Sequence, residues 1–80
     1  MPREERIEAI LAAWYEFQNC APSEKARWRH ERDKLLDEAM AGTRSGRQEL
    51  LEALFPRFNQ YQLARRQEHQ AKMAAILRRI

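Results

Sequence analysis

Valine is absent from this chain, threonine occurs once, at Thr43, and the only other β-branched residues are four isoleucines. Side chains branched at Cβ suit the pleated surface of a strand, so a chain nearly without them has little from which to build a sheet. The residues that dominate instead (Ala, Leu, Arg, Glu and Gln) are strong helix formers. The fold class that follows is all-α. We expect a small three- or four-helix bundle whose long C-terminal helix is kinked near Pro56.

Eighty residues are enough for one helical domain, spanning 1–80, and too few for two. A domain of this size buries only ~60% of the surface its unfolded chain exposes, so the core is small and self-association or a partner would add stability. With 34% of residues charged and 44% hydrophobic, the chain is too apolar for a disordered tail, and its charges belong on the outside of a folded body. The single cysteine, Cys20, cannot form an internal disulfide, which fits a reducing compartment. No apolar run approaches the ~20 residues of a membrane span, and the first residues are acidic and amphipathic where a signal peptide would be apolar. The expected location is cytoplasmic, with no membrane contact.

Helix breakers fall at Ala21-Pro22-Ser23, from Gly42 to Gly46, and at Pro56. They divide the chain into helices of about 3–20, 23–41, 46–55 and 56–79. In the first, Ile7, Ile10, Leu11, Trp14 and Phe17 recur every three or four residues, and Glu4, Glu5 and Glu8 oppose the positive end of the helix dipole. In the second, Ser23 is placed to cap the start. Trp28, Leu35, Leu36, Ala39 and Met40 form its stripe, and Gly42 can close its end in a left-handed conformation. Trp14 and Trp28 are the expected aromatic core. Arg32 interrupts the second stripe and is read as lying over an indole face or snorkelling past the core edge. The third helix opens with Ser45-Gly46-Arg47-Gln48, which has capping-box spacing. Pro56 then removes an amide donor within the run Leu50, Leu51, Leu54, Phe55, Phe58, so a kink is expected there.

Little in the chain is suited to catalysis. Cys20, Ser23, Thr43 and Ser45 are the candidate nucleophiles, but helix ends and turns account for three of them, and no histidine lies near Cys20 in sequence. His30, Asp33 and Asp37 fall on one side of the second helix, yet two histidines and one cysteine make a poor ligand set for a metal, and these side chains are read as a solvated face. Gly42 and Gly46 flank a turn without the Lys-Ser/Thr of a phosphate-binding loop. A helical chain of this length also leaves little room for a concave pocket. The expectation is a non-enzymatic protein with no cofactor, no metal and no small-molecule substrate.

Charge supplies the functional signal. From Pro56 to Ile80 there are six Lys/Arg against Glu68 alone, whereas the first forty residues carry nine acids and seven bases. Such a basic helix calls for an acidic partner. Arg57, Arg65, Arg66, His69 and Lys72 are the candidate contacts to a partner or to nucleic acid. Met73, Ile76, Leu77 and Ile80, the last apolar patch, are the candidate oligomer interface. The leading reading is therefore a helical interaction or oligomerisation module, acting as a homo-oligomer such as a dimer or as a regulator that docks on an acidic protein. The alternative is nucleic-acid binding through the basic half. The second helix, the turn and the third helix outline a helix-turn-helix, but the would-be recognition helix turns Glu49 and Glu52 outward and lacks base-reading side chains.

Overall fold

The computed structural model describes residues 2–80 and is all-α. Helix α1 spans Arg3–Asn19, a 3-10 turn covers Pro22–Glu24, α2 spans Lys25–Ala39 and α3 spans Arg47–Arg78. The first two helices form an antiparallel hairpin, with Ile10 and Leu36 fully buried in the cluster between them. The third packs against both through its N-terminal half.

Proline starts α1 and a β-region residue ends it. Pro2 precedes the first turn, Glu4 and Glu5 lie near its free amides, and Cys20 leaves the helix in an extended conformation while its N–H still reaches the Glu16 carbonyl at 2.8 Å. The expected Ser23 cap does not form. Pro22 instead nucleates the 3-10 turn, Glu24 precedes α2, and no side chain caps that start. Gly42 does adopt the left-handed region, at φ 81°, three residues past the end of α2. There the Thr43 N–H and hydroxyl both donate to the Met40 carbonyl at 2.9 Å. The Ser45 capping box is likewise absent, because Gly46 occupies the cap position and Gln48 donates forward to Glu52 at 3.3 Å.

Pro56 does not divide the third helix. Helix α3 continues through it for 32 residues, about 48 Å at 1.5 Å per residue, so the separate 46–55 and 56–79 helices are one element. The physical reason is the side on which the proline falls. Phe58 and Leu54 face the core, whereas Pro56 and Glu52 are exposed. The Glu52 carbonyl that loses its amide partner is therefore on the wetted side, where water can replace the bond.

Seven hydrophobic side chains are buried among the described residues: Ile10, Leu11, Ala13, Trp14, Leu36, Leu54 and Phe58. At their centre the rings of Trp14 and Phe58 stack with centroids 3.9 Å apart and planes within 5°. Trp28 is not among them. It is half-buried at the edge of α2, with the Arg27 guanidinium 4.9 Å from its ring. Arg32 covers an aromatic face as expected, but the ring is Phe17 of α1, at 5.0 Å.

A candidate interaction surface on the projecting helix

Four contacts fix α3 against α1. Beginning at the start of α1, Arg57 donates to Glu4 (2.9 Å), Phe58 stacks on Trp14, Tyr61 meets Tyr15 edge-on at 5.8 Å, and Arg65 approaches Glu16 at 3.9 Å. The two helices thus run in the same sense. Arg65 also lies over both tyrosine rings, 5.2 Å from Tyr15 and 5.9 Å from Tyr61. This Tyr–Tyr–Arg stack was not anticipated from the sequence, although the four-residue spacing of Tyr61 and Arg65 on one helix face was the available sign.

These contacts divide the basic residues into two groups. Arg57 and Arg65 are engaged with α1. Arg66, His69 and Lys72 lie beyond the last contact and are exposed, as are Arg78 and Arg79. Among the described residues none of Arg66, Lys72, Arg78 and Arg79 has a carboxylate within salt-bridge distance. The Arg57–Glu4 pair is mutual: the hydrogen bond from Arg57, then its charge, hold the Glu4 carboxyl below the usual carboxylate range, and the same pair raises the guanidinium.

Arginines also engage the two aspartates of α2, Asp33 and Asp37. Arg47 donates to Asp37 at 2.8 and 2.6 Å, which lowers the Asp37 carboxyl and ties α3 to α2. Asp33 accepts from Arg32 at 3.1 Å and has Arg29 and Arg47 within 4 Å. His30 stays exposed, and no three side chains suited to a metal converge among the described residues. Cys20 is half-buried, its thiol 3.6 Å from the Phe17 carbonyl.

Beyond Gln62 every residue of α3 is exposed. The helix does not fold back, and the molecule measures 54 × 27 × 22 Å. Ile76 falls about five turns past Phe58 at 3.6 residues per turn, so it lies on the side of the helix that Phe58 buries. Met73 and Ile80 fall on the same side, with Leu77 at its margin. Their exposures are 44% for Met73, 49% for Ile76, 65% for Leu77 and 96% for Ile80. The face that forms the core in the first half of α3 is thus unpartnered in the second. Among the described residues no helix is long and apolar enough to cross a membrane.

Comparison with protein-family models, with curated proteins and with solved structures finds no match to this chain.

Proposed function

We propose that the chain is a non-enzymatic helical interaction module whose working surface is the second half of α3. The observation that carries this reading is the continuity of one face: Leu54 and Phe58 are buried, whereas Met73 and Ile76, on the same side further along, are open to solvent. Contiguous apolar surface rimmed by charge is characteristic of protein interaction sites. A partner helix laid along this face would complete a bundle that the chain alone leaves open.

Charge favours an acidic partner. Residues 63–80 carry Arg65, Arg66, Lys72, Arg78 and Arg79 against Glu68. Pairing two such segments side by side would juxtapose like charges, whereas a helix bearing Asp and Glu around an apolar stripe would complement both features. Self-association remains the second form of the same proposal. Light scattering across a hundredfold dilution separates the two. A constant monomer mass, together with capture of an acidic amphipathic peptide that a scrambled peptide of equal charge does not match, supports the heterotypic form. A mass that doubles with concentration supports the dimer. A monomer that captures neither peptide overturns the proposal.

Nucleic-acid binding is favoured by one observation, the exposure of Arg66, Lys72, Arg78 and Arg79 along a single projecting helix. The engagement of Arg57 and Arg65 with α1 leaves fewer cations for phosphates. Under this reading, affinity for duplex DNA falls with salt at a log-log slope near −0.9 per phosphate neutralised. Retention of affinity at high salt would exclude it.

A further inference from the structure

On the body of the molecule, the start of α1, the end of α2 and the first turns of α3 enclose an open cleft of about 660 Å³. None of the projecting residues contributes to it. The volume lies in the range of small-molecule sites, ~300–1,000 Å³, in a chain expected to have little room for a concave pocket. Its floor is apolar: Ile10 and Leu54 are buried at the base, and Ile7, Met40 and Leu50 form the half-buried walls.

The lining includes three guanidinium-bearing residues and no carboxylate-bearing one. Arg3, Arg6 and Arg57 all border the cleft. Arg57 is neutralised by Glu4, but Arg3 and Arg6 have no carboxylate within salt-bridge distance among the described residues, and Arg6 is half-buried. Two guanidinium groups beside an apolar floor, with no salt-bridged carboxylate, offer charge-assisted hydrogen bonds to an incoming anion. We propose that this cleft binds a straight-chain amphiphilic anion, with its carboxylate between Arg3 and Arg6 and its hydrocarbon chain on Ile7, Met40 and Leu50. The exposed end of a second copy's α3 is a poorer occupant, because Arg78 and Arg79 would meet the cleft arginines.

Decanoate below its micelle concentration is the probe, with decanol and decyltrimethylammonium as neutral and cationic chains of equal length. In the full chain, decanoate shifts the backbone amide resonances of Ile7, Met40 and Leu50 saturably, and the two control chains bind at least about tenfold more weakly, as the loss of charge-assisted hydrogen bonds requires. The double variant Arg3→Gln/Arg6→Gln removes that preference while helix content is unchanged. Leu50→Trp, which fills the cleft, abolishes the shifts. Ile76→Glu leaves them intact, so the result is independent of the interaction surface on α3. Equal binding of all three chains, shifts confined to Met73–Ile80, binding to anionic vesicles without binding to free decanoate, or no shift at millimolar decanoate each overturns the proposal.

Discussion

The indole of Trp14 and the ring of Phe58 lie parallel, 3.9 Å apart, and join the middle of α1 to α3. Phe58 is fully buried and Trp14 nearly so. With only seven buried hydrophobic side chains among the described residues, this pair contributes a large share of the core. Truncating Phe58 to Ala is expected to cost ~3–5 kcal/mol, and Trp14→Ala a similar amount. Trp28→Ala should cost under ~2 kcal/mol, since that ring is half-buried at the edge of α2 and leaves little cavity. Urea unfolding followed by circular dichroism checks the order. A Trp28 variant as damaged as the Trp14 variant would contradict the placement of the core.

Pro56 interrupts no helix, so replacing it should stabilise one. Pro56→Ala restores an amide donor for the Glu52 carbonyl on an exposed surface, and the expected gain is ~1–3 kcal/mol, the upper end being the propensity difference between the two residues. The midpoint of urea unfolding reads this directly. A loss of stability would mean that the helix requires proline's restricted geometry.

Glu4 offers a pH-dependent test of how α3 is seated. Arg57 holds the folded Glu4 carboxyl below its ordinary value of 4.5, through its hydrogen bond first and its charge second, against an opposing effect of desolvation and with lesser assistance from Arg3. The unfolded chain therefore takes up this proton at a higher pH than the folded one. The stabilisation from the pair is complete above the ordinary value and is lost as pH falls through the depressed one. In a carboxyl NMR titration Glu4 should titrate below its ordinary value, and Arg57→Ala should return it toward that value. Because both side chains are exposed, added salt should shrink the difference. An unshifted Glu4 in the wild-type chain would show that the pair does not persist in solution.

Ile76→Glu places a charge in the open apolar face without touching the core. Helix content and unfolding midpoint should change by less than ~0.5 kcal/mol, as for other exposed sites, while association with the partner, or with a second copy, falls by about tenfold or more. Fluorescence anisotropy with the acidic peptide, or light scattering for the dimer, measures this. Undiminished association by a folded variant would place the interface elsewhere.

The all-helical class and the stripe Ile10, Leu11, Trp14 were legible because scarce β-branched residues and helical periodicity act locally. The left-handed turn at Gly42 was legible, at φ 81°, although α2 itself ends at Ala39 and not at the expected 41. The helix starts were not. Ser23 and Ser45 are reasonable caps in isolation, but Pro22 drew the first into a 3-10 turn, and Gly46 took the cap position from the second. Pro56 does not set a helix boundary because its cost depends on which side of the helix it occupies, and that follows from tertiary packing. The clamps from Arg57 to Glu4 and from Arg65 to Glu16 join residues some fifty positions apart, and nothing in local spacing reveals them. The apolar patch at the end of α3 was visible from the start, but whether the bundle covers it depends on tertiary packing.

An uninterrupted α3 also behaves as a ruler with a phase. Because Phe58 and Ile76 share one unbroken helix, the number of residues between them sets both the distance from the body to the open face and the direction in which that face points. One residue inserted near His69 would advance the tip by only ~1.5 Å but turn it by ~100°, swinging the apolar side toward a different neighbour. Seven residues would carry it ~10 Å outward yet leave it within ~20° of its original bearing. A partner docked on Met73 and Ile76 would thereby be held at a fixed azimuth to the hairpin, with orientation set as well as reach.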